Sequence, residues 1–455
     1  MATTPHVHWR GSVPGQSSLW EGDPRWARRI CQAIVLLPLF WLMLLPEYVQ
    51  GLGDPESKSI LYRATIGPLR VVDVLLLAMI FAHAVAWAGS RRLRVELPHE
   101  LALPGIGFLS ALMTAAIYGA LHGGTYLFFD WRALALGIGL YGVFVLWMPT
   151  AEAVEWAVLL FAAFMAVRIV VIYAEFLSGA GDLLVGVRIP VFDGPTLSAV
   201  VFTGLLAACA SDFARGWRAL VWLSLSGAAC LLVLLCFRRT FWVELGLGTL
   251  FLILAQRERR GRKILVGAAC LVAVTALLGP AFYERLQSMD FTQDATEFSQ
   301  GNPDHVGEVL DAWDQVQRNP VMGIGLGRSF QTLRVQQWKE ESVMVHNAPL
   351  HVWLKYGLLG LACYAWFHLA LLRWLWRRRQ QAPESATREA ASGKHVAWLG
   401  AALAYLAAQF VVSLGFTPWP YSSLQSTILI AFVLAVSVRG ETTCNYQAYL
   451  SSLHR

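Results

Sequence analysis

The sequence predicts an all-α polytopic membrane protein with about twelve transmembrane helices and one long, partly helical outer loop. Three observations predict it. The 455 residues are 56% hydrophobic and only 15% charged, whereas soluble domains carry about a quarter charged residues, and the mean hydropathy is +0.51. Apolar runs long enough for a bilayer, which takes about 20 residues, recur along nearly the whole chain. Basic residues gather in alternate connections, as the positive-inside rule demands of a chain that crosses and recrosses a membrane.

Lipid offers no partner to a bare amide, so each run must be a helix that satisfies its own backbone. The runs place spans at about 30–46, 69–88, 101–120, 134–149, 155–178, 197–214, 219–236, 240–256, 264–280, 350–372, 396–417 and 422–438. With the N-terminus inside, the basic segments SRRLR at 90–94, RGWR at 215–218 and RERRGRK at 257–263 all fall on the inner side. Residues 1–29 form a cytoplasmic N-terminus, 30–280 hold spans one to nine, 281–349 form the outer loop, 350–438 hold spans ten to twelve, and 439–455 form a cytoplasmic tail. The first 29 residues lack the short apolar core of a removable signal peptide, so the first span is expected to act as an uncleaved anchor. The small excess of Lys and Arg (36 against 30 acidic residues) is topological and implies no nucleic-acid partner.

The outer loop is patterned. Asn302 and Pro303 open a helix by cap and first-turn chemistry. Val306, Leu310, Trp313 and Val316 share one face, and Arg318-Asn319-Pro320 ends it. An amphipathic helix that lies on the membrane, packs over the bundle or covers a site is expected. In NPVMGIGLGRSF (319–330) the alternating Gly323, Gly325 and Gly327 lack the strand-turn-helix context of a nucleotide loop. A tight turn pressed against another helix is expected instead. In HNAPLHVWLKYGLLG (346–360), Gly357 and Gly360 predict close approach to a neighbouring helix.

Seven cysteines lie mostly within apolar runs, with no CxxC pair and no Cys/His spacing for zinc. His346 and His351 are five apart, off the i, i+4 spacing of metal ligands. No metal and no disulfide are expected. Two arginines, Arg238 and Arg239, occupy a short outer turn against the charge bias, with Glu244 as a possible counter-ion. Arginine at hydrocarbon depth is costly, and adjacent guanidiniums suit phosphate oxygens. Arg168 lies within the fifth span, with Glu175 or Asp73 as conceivable partners.

These residues together resemble the O-antigen ligase/polymerase superfamily of bacterial lipid-linked glycan transferases. The resemblance rests on His346-Asn347, nine residues and then Gly-x-x-Gly, preceded by an NPxxGxGxG-like turn in a long outer loop. An outer arginine aligned through Arg239 and the segment GVRIPVFDGPTL (186–197) with Arg188 extend it, so that the motifs fall between about 186 and 375. The resemblance implies a GT-C-like fold with a periplasmic loop in the bacterial inner membrane. It implies transfer of a glycan from undecaprenyl pyrophosphate to an acceptor hydroxyl, with inversion and with neither metal nor cofactor. Fixed cations stabilise the charge that grows on a departing pyrophosphate, the role implied for Arg239 with Arg238 and Arg188. A neutral imidazole suits removal of the acceptor's proton, the role implied for His346, with Asn347 positioning it or a sugar hydroxyl. Lipid A-core is the first expected acceptor; a polymerase that extends a lipid-linked repeat is the alternative within the family. A polysaccharide-lipid transporter is the alternative outside it, although transporters show repeated halves and helices broken at the midplane.

Overall fold

The computed structural model describes residues 25–44, 64–66, 69–89, 98–177, 194–236, 239–255, 303–334, 341–342, 345, 347–381, 390–414 and 423–453. Among them the helices are α1 (Arg25–Leu44), α2 (Val71–Gly89), α3 (His99–Leu121), α4 (Leu127–Trp147), α5 (Ala151–Glu175), α6 (Gly194–Ser211), α7 (Trp217–Leu235), α8 (Arg239–Ala255), α9 (Pro303–Arg318), α10 (Ala348–Gln381), α11 (Ala390–Ser413) and α12 (Leu424–Leu453). Two short antiparallel ladders accompany them: β1 (Thr65–Ile66) with β2 (Leu69–Arg70), and β3 (Phe330–Gln331) with β4 (Glu341–Ser342). The protein is all-α and polytopic. Helices α1, α3, α4, α5, α7, α10 and α11 are long and apolar enough to cross a membrane, and α2, α6, α8 and α12 are apolar over shorter windows. The span expected at 264–280 lies outside the described residues.

The core is aromatic where four helices meet. Phe40 of α1 packs against Phe144 of α4, Phe161 of α5 and Phe432 of α12, with ring centroids 5.1–6.4 Å apart. The chain of rings continues through Phe202 of α6 to Tyr405 of α11. Edge-on and tilted rings each add about 0.5–1.5 kcal/mol beyond their buried area. That matters in a bilayer, where burial between helices gains little over lipid contact. Asp73 of α2 is paired with Arg132 of α4 at 3.3 Å, both buried. Asp73, one of the two conceivable partners of Arg168, is thus taken by Arg132, and no ion pair of Arg168 is seen among the described residues.

The expectation of one continuous tenth span at 350–372 is also corrected. α10 is two helical segments joined at Gly357, whose φ of 71° and ψ of −175° lie outside the helical region. Both sides of the bend touch the last turn of α11. Asn347 Nδ2 donates to the Leu414 carbonyl at 3.1 Å, while Tyr364 and His368 lie against the Phe410 ring. In a straight helix, residues 347 and 364 would stand about 25 Å apart along the axis. The bend tips the short first segment over the bundle, and the site is built on that segment.

Candidate active site

Three helices are locked by a buried polar layer. Glu244 of α8, fully buried, accepts from Gln409 Nε2 of α11 at 2.7 Å and from Ser198 Oγ of α6 at 3.3 Å; Gln409 also reaches Ser198 Oγ at 2.5 Å. The described partners of Glu244 are a hydroxyl and an amide, while Arg238 and the Arg239 side chain, for which it is a possible counter-ion, lie outside the described residues. A buried carboxylate must be matched by donors, and here two neighbouring helices supply them.

The layer also sets helix direction. Ser198 and Phe202 of α6 face Gln409 and Tyr405 of α11, an antiparallel register. Glu244 faces Ser198, and Gly248 lies against Leu205, a parallel register between α8 and α6. Hence the N-termini of α6 and α8 and the C-terminus of α11 lie at one end of the bundle. Arg239 opens α8 five residues before Glu244, and Leu414 follows Gln409 by five, so each stands about 7.5 Å beyond the polar layer. Asn347 bonds Leu414, which brings the N-terminus of α10 to the same end. Three helix N-termini converge there, each equivalent to about half a positive charge, and unpaired amides at such ends make a ready anion site.

Asn347 is the helix cap. Its Oδ1 accepts from Leu350 N at 2.9 Å while its Nδ2 holds Leu414. Both ends of the amide are thus engaged by backbone. Arg188, Arg238 and His346 lie outside the described residues, and for Arg239 the helix start is described but not the side chain. The structure therefore brings together the segments that carry Arg239 and Asn347.

The glycine turn behaves as the sequence predicts. Gly323, Gly325 and Gly327 have φ of 66°, 88° and 79°, a region open to glycine at no steric cost. The turn is sewn to three helices: Ile324 N to Leu354 O of α10 at 2.7 Å, Leu326 N to Ala115 O of α3 at 3.0 Å, and Gly327 N to Asp130 Oδ2 of α4 at 2.8 Å. Gly357 approaches this turn rather than another helix, since a Cβ there would run into the Val321 carbonyl; Gly360 faces its own helix's Tyr356.

Two charged residues close the arrangement, and the sequence reading missed both. Lys355 of α10 pairs with Asp130 at 2.8 Å, and its Nζ also donates to the Arg328 carbonyl at 2.5 Å. The lysine is 0% and the aspartate 4% exposed. A lysine inside an apolar run was the available signal; its partner lies 225 positions away.

Comparison with known proteins agrees with this architecture. The model of the O-antigen ligase family matches residues 220–365. An O-antigen ligase of Salmonella typhimurium is 28% identical over 172 residues, covering 34% of this chain and 40% of the relative. Over these residues the chain is similar to the O-antigen ligase family. The family match includes Arg238, Arg239, the glycine turn, His346, Asn347 and Lys355, whereas Arg188, Ser198 and Gln409 lie outside it. The chain spans well under half the length of this relative in the alignment.

Proposed function

We propose that this protein moves a glycan from undecaprenyl pyrophosphate to an acceptor hydroxyl at the periplasmic face of the bacterial inner membrane, with lipid A-core as acceptor. The reading takes twelve spans, both termini in the cytoplasm and residues 281–349 in the periplasm. The observation that carries it is the gathering of three helix N-termini at one end, on the segments of Arg239 and Asn347 within the family match. That end is suited to a pyrophosphate, and Arg188, six residues before α6 in the sequence, is proposed to join it.

In the proposed reaction the acceptor oxygen attacks the anomeric carbon from the side opposite the pyrophosphate, inverting it. His346 takes the hydroxyl proton as the new glycosidic bond forms. The bond to the pyrophosphate oxygen breaks with its electron pair, and the growing charge meets Arg239, Arg238, Arg188 and the helix ends. Asn347 keeps His346 in register through its cap. Neither metal nor organic cofactor takes part.

The test is transfer by the purified protein in lipid, given a pyrophosphate-linked glycan and separate acceptors. Release of undecaprenyl pyrophosphate without any ion gradient, one glycan per lipid A-core, is expected. A ladder of repeats would make it a polymerase, and absence of release would remove the transferase reading. His346→Ala is expected to lower turnover at least about a hundredfold, the scale of a positioned base, while the protein stays folded. Arg239→Lys is expected to slow turnover too, because one ammonium does not replace a guanidinium fork; unchanged kinetics would move the phosphate site elsewhere.

A further inference from the structure

Helix α9 buries Val316 of its apolar stripe against the bundle but leaves Leu310 and Trp313 of the same stripe partly exposed. Ala312 and Val316 are fully or nearly fully buried against Ile324, Phe330, Leu350 and Leu354, and Glu308 and Asp311 lie on the same inward side. Leu310 and Trp313, from the apolar stripe, are 45% and 40% exposed. An exposed Leu/Trp pair on a helix already seated by its other face requires its own explanation.

The pair does not stand alone. The Trp313 ring meets Trp353 of α10 edge-on at 5.5 Å, and the Trp353 indole donates to the Pro320 carbonyl at 2.8 Å. Val321 and Met322 follow, both exposed. The Pro320 and Val321 carbonyls accept from Leu358 N at 3.0 and 3.1 Å, immediately past the α10 bend. Leu358 and Leu359 are exposed on a helix apolar enough to cross a membrane. Exposed apolar residues therefore extend from the flank of a membrane helix, through the turn at 320–322 and Trp353, to the outward side of α9. Arg318, exposed in the last turn of α9, sets a cation beside it.

We infer that α9 and the turn after it are docked in the membrane interface, with Leu310, Trp313, Val321 and Met322 among the lipids of the leaflet next to α10. The occupant is phospholipid, because the strip continues a surface that a spanning helix presents to lipid. Its apolar side matches: tryptophans favour the boundary between headgroup and acyl chain, and an amphipathic helix buries its apolar face in that plane, while of its acidic residues Glu308 and Asp311 are turned inward. The turn 319–330 and the short segment of α10 would then be held at the depth where a lipid-linked donor keeps its headgroup.

The experiment places a benzoylphenylalanine photocrosslinker at Leu310, at Val321 and, as control, at Gln315 on the other side of α9. Each protein is irradiated in nanodiscs of phosphatidylethanolamine and phosphatidylglycerol, and its peptides are weighed. Phospholipid adducts at 310 and 321, at least about tenfold above those at 315, are expected. Equal yields at all three positions, no lipid adduct at 310, or adducts to a second copy of the chain would overturn the inference. Repeating the irradiation with His346→Ala separates this result from the catalytic reading, since docking requires no turnover.

Discussion

Two buried polar nodes hold this end of the bundle, and they are built differently. The node on α6, α8 and α11 surrounds the Glu244 carboxylate with a hydroxyl and an amide; the node on α4, α10 and the glycine turn joins Lys355 to Asp130 as opposite charges. The first binds helix to helix, the second binds a turn to helices. A turn offers few apolar contacts and many backbone groups, so a charge pair that also takes up the Gly327 amide and the Arg328 carbonyl secures it from several directions. Helices already packed along their lengths need only a directional contact to set register. Here the irregular turn is held by an ion pair and the regular helices by hydrogen bonds to a carboxylate, although the buried Asp73–Arg132 pair also joins regular helices.

The comparison can be broken most sharply at Lys355. Lys355→Met leaves Asp130 buried and unpaired and is expected to cost about 3–5 kcal/mol, read as a lowered midpoint of unfolding in detergent. Adding Asp130→Leu is expected to recover most of that loss. A double variant as unstable as the sum of the single ones would show that the two charges do not act as a pair. A smaller effect is expected at the other node. Glu244→Ala strands the Ser198 and Gln409 donors at about 1–3 kcal/mol, whereas Glu244→Gln, which keeps an acceptor oxygen, should stay within about 1 kcal/mol of the parent. If Gln is as harmful as Ala, the node depends on negative charge after all. The smallest change is at the cap: Asn347→Ala is expected to cost about 1 kcal/mol of stability but to lower turnover more than substrate affinity, a split visible in kcat against KM.

Much of the fold was legible because lipid makes composition decisive: an apolar run of sufficient length has to be a helix. The loop helix and the glycine turn were readable for similar local reasons, in caps, periodicity and the chemistry of glycine. What misled was face and partner. The stripe through Leu310, Trp313 and Val316 marks α9 as amphipathic, and Val316 is buried, without saying that Ala312 would complete the buried side while Leu310 and Trp313 stay partly exposed. Gly357 signals close approach without saying that a turn, rather than a helix, fills the space.

By itself the sequence determined that this is a bundle of apolar helices, where those of the described residues run, and which residues are chemically out of place in lipid. Only the tertiary structure decided that α10 bends at Gly357, that Glu244 is held by Ser198 and Gln409, and that Lys355 finds Asp130. The reason is range. Helix formation in lipid is enforced residue by residue through the chain's own hydrogen bonds. The partner of a buried charge is chosen by packing among segments tens to hundreds of positions apart, and no local pattern encodes that choice.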